Sequence, residues 1–235
     1  MEERDEFAQG RAAPASAAKS VFREYAEALI IAILLALTIR AFVVQAFKIP
    51  SGSMLPTLQI GDHILVNKFV YYFVPIRRGD VIVFKYPQDE SRDFIKRVIG
   101  LPGETLEVRG RQVLVNGVPL EEPYAVYADR STSPPLERVR VDPFVIPPGK
   151  LFMMGDNRDN SMDSRVWGVL DMHKIKGKAF IVYFSIRSEE IPYDAILPSF
   201  LFRNVPYLAP VLDGTLYVIT HPSIVRWGRL GTVVH

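Results

Sequence analysis

The stretch His63-Ile64-Leu65-Val66-Asn67 is short, rich in aliphatic and β-branched side chains, and bounded by turn residues. Runs of the same kind recur at Asp80–Phe84, Thr105–Val108, Gln112–Val115, Lys178–Phe184 and Thr215–Ile219. Short runs of this composition with a period of two predict β-strands. Since no long amphipathic helical pattern follows residue 58, the sequence predicts an all-β, antiparallel domain.

Turn signals separate these predicted strands. Asn116-Gly117 is a strong signal for a two-residue hairpin, and Arg109-Gly110 and Asp213-Gly214 are weaker ones. Residues 121–148 are rich in proline and charge with little alternation, which predicts an excursion from the main sheet. Residues 197–212 are apolar but interrupted by prolines, which predicts a surface-packed loop.

Upstream of the first strand lies Pro50-Ser51-Gly52-Ser53-Met54-Leu55-Pro56-Thr57-Leu58. The two prolines fix φ and the glycine adds backbone freedom, so this stretch predicts a sharply shaped turn. Such a turn can hold a serine hydroxyl in the open. An ordinary linker between a membrane segment and a domain is the alternative interpretation.

Before this turn comes an apolar run of 20 residues, Ala28–Phe47, with only three polar members. As a helix it would be ~30 Å long, about one hydrocarbon thickness. We therefore expect an uncleaved transmembrane anchor over residues 25–47, preceded by a tail over residues 1–24. A cleaved signal peptide fits less well, because no small-x-small site follows, and a buried amphipathic helix is a further alternative. The flanking charges do not decide the orientation.

The composition excludes several classes of protein. Hydrophobic residues make up 49% of the 235 positions, which is ample for a folded core. The net charge of +2 arises from 28 basic and 26 acidic residues, a balance that argues against nucleic acid as the main partner. The absence of cysteine excludes disulfide frameworks, thiol nucleophiles and cysteine-based metal sites.

A serine nucleophile needs a base, and the usual base is histidine. None of the four histidines, at positions 63, 173, 221 and 235, has an acid nearby in a recognisable arrangement. Lys96 differs from the other lysines because it interrupts an apolar run from Phe94 to Leu101. Burial lowers the pKa of a lysine and makes it a usable base. Lys96 is therefore the candidate base, and a lysine on the wet face of an edge strand is the alternative.

The segment Gly155–Arg165 contains a high density of Asp, Asn, Arg and Ser. A solvated turn is one interpretation of this density. A calcium loop is not supported, since the segment has neither Gly at the sixth position nor Glu at the twelfth. A hydrogen-bonded network that supports a functional site is the third interpretation.

Five ordered blocks of this chain resemble those of bacterial type I signal peptidases, also called leader peptidases, which are membrane-anchored serine proteases with a Ser/Lys dyad. The blocks are PSGSMLPTL (50–58), GDHILVNKF (61–69), RGDVIVF (78–84), KRVIGLPGE (96–104) and GDNRDNSMDSRVWG (155–168). The resemblance covers Ile49–Phe184 and a similar ending at Arg226–Gly231. It departs from the family at Met162, where relatives often have a smaller residue, and over residues 197–219, which do not align.

The resemblance implies a mainly β protein, with an antiparallel β-sheet catalytic domain of the signal peptidase type preceded by one N-terminal transmembrane helix. Within it we expect a catalytic β core over residues 48–104 and 149–187 and a β-hairpin insertion over residues 105–148. Residues 188–235 would form a C-terminal extension that packs on the core.

The resemblance also implies roles for individual residues. Ser53 would be the nucleophile and Lys96 its general base. The Ser51 hydroxyl and the Ser53 backbone amide would form the oxyanion hole, and Ser161 would orient the lysine amine. Positions expected to support the site are Arg97, Asp156, Asp163 and Arg165, and positions expected to line the substrate pockets are Ile49, Met54, Phe94 and Ile95. No cofactor and no metal is expected.

The implied activity is removal of N-terminal signal peptides from exported preproteins, with cleavage after small residues in an A-x-A pattern. Signal peptides and membrane lipid would be the partners, without nucleic acid. The protein would be a single-pass monomer of the inner (plasma) membrane with its catalytic domain on the extracytoplasmic side. Two other classes of protein are alternatives. A catalytically silent, membrane-tethered β domain is disfavoured by the Ser/Lys pair. A cytosolic self-cleaving repressor with the same dyad is disfavoured by the predicted anchor.

Overall fold

A computed structural model describes residues 21–38, 44–127, 140–187 and 222–235. The chain divides into two compact units, Met1–Arg40 and Ala41–His235. The predicted strand Thr215–Ile219, the turn signal at Asp213-Gly214 and the loop predicted over residues 197–212 lie outside the described residues.

The described part of the first unit is a helix, α1, at Val21–Thr38. Its first turns carry charge, including an ion pair between Arg23 and Glu27 with 2.8 Å between nitrogen and oxygen. Within the ranges that the structure describes, no helix has the length and apolar character needed to cross a membrane.

The second unit consists of antiparallel strands. In chain order the described strands are β1 (Val44–Lys48), β2 (Asp62–Asn67), β3 (Val81–Tyr86), β4 (Asp89–Gly100), β5 (Thr105–Arg109), β6 (Gln112–Val115), β7 (Val118–Pro119), β8 (Arg140–Val145), β9 (Lys150–Met154), β10 (Leu170–Asp171), β11 (Ile175–Ser185) and β12 (Thr232–Val233). Two four-residue helices lie between strands, α2 (Val70–Phe73) and α3 (Ser164–Trp167). The prediction of a mainly antiparallel β domain is confirmed.

The main sheet has eight strands in the order β1-β2-β11-β3-β4-β9-β10, with β12 paired to β11. The central strand β11 pairs with β2 along one edge, from Lys178 opposite Asn67 to Ser185 opposite Asp62. Its other edge is shared, because residues 175–178 pair with β3 and residues 181–182 pair with β12. Strand β4 lies between β3 and β9 and carries Lys96 opposite Ile82.

The predicted anchor is wrong at its C-terminal end. We expected a helix through Phe47, but Val44–Lys48 form strand β1, in register with β2 from Val44 opposite Asn67 to Lys48 opposite His63. A short apolar run does not distinguish a helix from a buried strand, and here the free edge of β2 supplied the pairing that decided it. Residues 39–43 lie outside the described residues.

A second sheet has four strands in the order β7-β6-β5-β8. The predicted hairpin at Asn116-Gly117 is confirmed, since Val115 pairs with Val118 across a two-residue turn. Both turn residues have positive φ, 53° and 78°, as the favoured two-residue hairpin turn requires. The Arg109-Gly110 signal also marks a tight turn, because Arg109 pairs with Gln112. Strand β8 was not predicted, since Pro143 and its charged neighbours hide the alternation.

The C-terminal residues 222–235 contact the core of the second unit. Val234 is buried in the main apolar cluster together with Ile64 and Val182. The guanidinium of Arg229 donates to the buried carboxylate of Asp62, with 2.5 Å between Nη2 and Oδ2. These contacts attach residues 222–235 to strands β2 and β11.

Candidate active site

The turn that carries Ser53 is a 3-10 helix, Gly52–Met54, between β1 and β2. It is attached to the loop that follows β9, because the backbone N–H of Asn157 donates to the carbonyl oxygen of Ser53 at 3.1 Å. The side chain of Asn157 donates to the carbonyl oxygen of Gly52, also at 3.1 Å. Ser53 is only 7% exposed, so its hydroxyl is more enclosed than the sequence suggested, whereas Ser51 is exposed.

Strand β4 brings Lys96 to Ser53. The lysine Nζ donates to the Ser53 Oγ at 2.7 Å and to the carbonyl oxygen of Ile95 at 2.9 Å. Lys96 is 4% exposed and its ammonium also lies 5.4 Å from the centroid of the Phe94 ring. The edge-strand alternative for this lysine is therefore wrong, because its strand has neighbours on both sides and its amine is buried.

Burial lowers the pKa of Lys96 to about 8 from its ordinary 10.5. Loss of hydration is the largest cause, since it penalises the charged form. The carboxylates of Asp163 and Asp156 oppose the shift, and the guanidinium of Arg165 adds to it. The site thus contains an amine that exchanges a proton near physiological pH.

Arg97, the next residue on β4, forms a buried two-point ion pair with Asp156. Its Nε and Nη2 donate to the two carboxylate oxygens at 2.8 and 2.7 Å. The Thr57 hydroxyl donates to the same carboxylate at 2.5 Å, and a further guanidinium nitrogen donates to the carbonyl oxygen of Gly79 at 2.8 Å. Breaking such a buried pair by removing one partner costs about 3–5 kcal/mol, because the remaining charge stays buried.

Asp163, at the end of the loop after β9, forms a second buried pair with Arg165 of α3. The carboxylate accepts from the Nε and Nη2 of Arg165, both at 2.8 Å, and from the backbone N–H of Gly155 at 3.0 Å. Nη2 of Arg165 also donates to the carbonyl oxygen of Arg158 at 2.6 Å. Of the three interpretations of the polar segment, the hydrogen-bonded network is the one the structure contains.

Ser161 lies against the nucleophile turn, but its hydroxyl is not bonded to Lys96. A Cβ built on Gly155 would lie 2.3 Å from the Ser161 Oγ and 2.5 Å from the Ser53 carbonyl oxygen, so the three residues are in close contact. Among the described residues, the Ser161 Oγ is buried and has no hydrogen-bond partner. A buried hydroxyl without a partner is uncommon, and it marks this position for a function.

Two partners in this network were missed by reasoning from the sequence. The first is Glu122, whose carboxylate accepts from the buried Arg158, at 2.7 Å from Nη1 and 2.5 Å from Nη2. The second is Thr57, which shares the Asp156 carboxylate with Arg97. Glu122 lies in a region without alternation, so no local pattern indicated its role.

A cavity of about 400 Å³ opens beside the Ser53–Lys96 pair. Its lining residues are Pro50, Ser51, Gly52, Ser53, Arg92, Asp93, Phe94, Ile95, Lys96, Asn160 and Met162. Phe94 and Ile95 were expected to line the substrate pockets, and they line this cavity. Ile49 and Met54, which carried the same expectation, are 2% and 0% exposed in the main apolar cluster and do not line it.

The described histidines do not line the cavity. The ring of His63 contacts the carbonyl oxygen of Gly61 at 3.2 Å, and burial lowers its pKa. His173 is exposed and contacts Asp171, while the backbone oxygen of His235 accepts from Arg97. His221 lies outside the described residues. The lysine is thus the base that the geometry offers to Ser53.

Comparison with known proteins identifies the same group as the sequence blocks. The family model described as "Signal peptidase, peptidase S26" matches residues 22–184. Signal peptidase I of Leptolyngbya laminosa is 44% identical, covering 66% of this chain and 76% of that protein. Signal peptidase I of Pseudomonas aeruginosa is 38% identical, with 69% and 72% covered, and that of Aquifex aeolicus is 36% identical, with 76% and 91% covered.

Proposed function

Because the chain belongs to the signal peptidase family, peptidase S26, and therefore removes signal peptides from preproteins, we propose that Ser53 is the nucleophile and Lys96 its general base. The observation that carries this proposal is the 2.7 Å contact between Nζ of a buried lysine and the serine Oγ. With a pKa of about 8, roughly one lysine in ten is neutral at pH 7. A lysine with an ordinary pKa would be neutral in only about one molecule in 2,500.

In the proposed reaction, the neutral amine of Lys96 accepts the proton of Ser53 while Oγ attacks the carbonyl carbon of the scissile bond. The tetrahedral intermediate collapses as the lysine ammonium gives that proton to the leaving amine, which frees the mature protein. A water molecule then loses a proton to Lys96 and attacks the acyl-enzyme ester. Return of the proton to Ser53 releases the signal peptide with a new carboxylate.

We assign the oxyanion hole to the Ser51 hydroxyl and the Ser53 backbone amide. The exposure of Ser51 and its place in the lining of the cavity beside Ser53 support this assignment. Ser161 is assigned to orient the amine of Lys96, and its buried hydroxyl without a partner among the described residues supports that role. The neutral amine has a second N–H to donate once its lone pair faces Ser53, and Ser161 is a suitable acceptor.

The supporting residues act through position and charge. Arg97 and Asp156 fix β4 to the loop after β9, and Asp163 and Arg165 hold that loop through the amide of Gly155. In this arrangement each carboxylate near Lys96 is already paired with an arginine. An unpaired carboxylate there would stabilise the ammonium form and raise the lysine pKa, so the pairing favours the neutral base.

We further propose that the substrate is cut after small residues in an A-x-A pattern, with Phe94 and Ile95 among the residues that restrict the pocket. Members of the family are membrane-anchored, and for this chain we propose a single span upstream of β1, ahead of Val44. The catalytic domain is assigned to the extracytoplasmic side of the inner membrane, where exported preproteins present their signal peptides. Membrane lipid is the second partner, and the protein is assigned as a monomer.

The test is incubation of the purified full chain with a preprotein that contains one A-x-A site, followed by mass spectrometry of the new N-terminus. We expect one cut after the second alanine, and no cut with Ser53→Ala. Replacing that alanine by leucine or phenylalanine in the preprotein should abolish the cut, because a bulky side chain meets Phe94 and Ile95. Equal processing of alanine and phenylalanine substrates would contradict the pocket, and processing by Ser53→Ala would contradict the mechanism.

A further inference from the structure

Arg92 lies on the rim of the catalytic cavity, two residues before Phe94 on strand β4. Alternation along a strand places Arg92, Phe94 and Lys96 on one face. The contacts agree, because the Arg92 Cζ lies 5.3 Å from the Phe94 ring centroid and the Lys96 Nζ lies 5.4 Å from the same centroid. The two cations are therefore at most about 11 Å apart.

The Arg92 guanidinium is held by aromatic rings and not by a carboxylate. The rings of Tyr86 and Phe94 are stacked with centroids 4.3 Å apart, and Arg92 lies 5.8 and 5.3 Å from them. Within the described parts of the chain, Arg92 has neither an ion pair nor a hydrogen bond from its guanidinium, and its charge acts on Asp89 only through space. A stacked guanidinium is preorganised and keeps its five N–H donors available.

The other charged residues that line the cavity already have partners. Asp93 pairs with Lys176 at 2.7 Å, and Lys96 donates to Ser53 and Ile95. Lys96 is neutral when it acts as the base, so Arg92 is then the permanent unpaired cation of the cavity lining. A guanidinium fork matches a carboxylate in shape as well as in charge.

We propose that Arg92 forms a subsite for an acidic side chain of the preprotein, an Asp or Glu within three residues of the scissile bond. The proposal deepens the assigned function and rests on it, since the carboxylate must be on a substrate whose carbonyl is at Ser53. Arg92 acts on specificity, and it takes no part in the proton transfers. The subsite attracts acidic substrates and disfavours basic ones at the same position.

The experiment compares peptides that keep both alanines of one A-x-A site and differ at a single position. That position is Asp, Asn or Lys in turn, placed at the middle residue of the A-x-A pattern or at one of the first three residues after the bond. Each set is cleaved by wild type, Arg92→Met and Arg92→Glu. Methionine keeps the packing on the two rings and removes the charge. The matched control is Arg77→Met, which removes another exposed cation that lies outside the cavity lining.

We expect one position at which wild type cleaves the Asp peptide roughly 3- to 10-fold faster in kcat/KM than the Asn peptide. The ratio should fall to about one in Arg92→Met, remain in Arg77→Met, and invert in favour of Lys in Arg92→Glu. It should also shrink as salt is raised, since the rim is exposed.

An Asp-to-Asn ratio that is the same in wild type and Arg92→Met at every position would overturn the subsite. Equal loss of the ratio in Arg77→Met would overturn it too, because bulk charge would then be the cause. The Asn peptides separate the two proposals. If wild type cleaves them normally, the Ser53–Lys96 function stands whatever the Asp peptides show, and if it cleaves none of the peptides, both proposals fail.

Discussion

Gly155 lies so close to Ser53 that a methyl group on its Cα would be 2.5 Å from the serine carbonyl oxygen. The backbone of the loop after β9 is thus packed directly on the nucleophile turn, with no room for a side chain. The same methyl group would be 2.3 Å from the hydroxyl of Ser161. Ser53 and Ser161, which both have proposed roles, can therefore occupy their positions only because residue 155 has no side chain.

Gly155→Ala should reduce the rate of cleavage strongly and the stability of the fold only moderately. The new methyl group must displace Ser53 or Ser161, and a shift of about 1 Å at reacting atoms costs on the order of 10²-fold in rate. Overpacking should lower the free energy of unfolding by about 1–3 kcal/mol. The measurements are peptide cleavage and urea unfolding. Gly228→Ala is the control, because no atom lies within 4 Å of its added Cβ, and equal loss of activity in the control would contradict the close-packing argument.

Lys96→Arg should reduce kcat/KM by at least about 10³-fold while circular dichroism shows the fold retained. Arginine keeps the positive charge but stays protonated at any workable pH, so it cannot accept the serine proton. Lys85→Arg is the control, since Lys85 is an exposed lysine of the adjacent strand β3 paired with Glu90. A Lys96→Arg protein with a tenth of wild-type activity would exclude Lys96 as the general base.

Lys96→Met should stabilise the fold while it removes activity. The pKa of Lys96 is about 8 when folded and 10.5 when unfolded, so the unfolded chain binds more protons between these values and wild-type stability rises with pH there. Below pH 8 the charged amine is buried at full penalty, of about 3 kcal/mol, partly offset by its hydrogen bonds. Urea unfolding should show the variant about 1–2 kcal/mol more stable at pH 7, with the difference shrinking toward pH 10.

The activity of the wild-type enzyme should also depend on the protonation state of Lys96. The rate of peptide cleavage should rise with pH through about 8 and level off above it, because the neutral amine is the active form. A rate that is flat between pH 6 and pH 9, or a stability difference that grows with pH, would contradict the lowered pKa.

Ser51→Ala should fold normally and lose about 10²- to 10³-fold in kcat, with little change in KM, if its hydroxyl stabilises the oxyanion. The measurement is steady-state cleavage of an A-x-A peptide. Ser91→Ala is the control, because Ser91 is exposed on β4, outside the cavity lining. Wild-type turnover in Ser51→Ala would remove this residue from the oxyanion hole.

Strand β1 belongs to the catalytic domain, so the place of truncation should matter. Removal of residues 1–40 leaves β1 in register with β2, whereas removal of residues 1–48 deletes the strand and the packing of Phe47 on the main cluster. Burial of one phenylalanine is worth about 2 kcal/mol, so the shorter protein should melt several degrees lower. Identical melting temperatures by calorimetry would show that β1 adds nothing to the domain.

The parts of the fold that the sequence predicted well are those that local chemistry decides. Asn116-Gly117 specifies its turn because both residues accept positive φ. The run that contains Ile64 and Val66 forms a strand because three consecutive aliphatic residues lie between polar ones. Strand β4 was not among the predicted strands, since its first half, around Asp89, is charged and shows no alternation. The strand order could not be inferred, since the pairing of β2 with β11 joins residues far apart in the chain.

The candidate site, too, was predicted only in part. Ser53 and Lys96 were predicted from sequence blocks, and the apolar run around the lysine gave an independent physical reason. The partners Glu122 and Thr57 were not, because a hydrogen bond between residues 36 or 99 positions apart leaves no trace in local pattern. The burial of Met54 in the core could not be predicted either, because it depends on the conformation of the nucleophile turn.

The place of β11 between β2 and β3 also governs how the newly made chain folds. As the polypeptide leaves the ribosome, β2 and β3 appear early, but β11, the strand that joins them, is translated about 110 residues after β2 and about 90 residues after β3. Contacts of such large sequence separation form slowly, since loop closure comes before any gain from pairing. The main sheet therefore stays open between β2 and β3 until β11 has emerged, and the facing edges of these two strands remain accessible to chaperones through most of the synthesis.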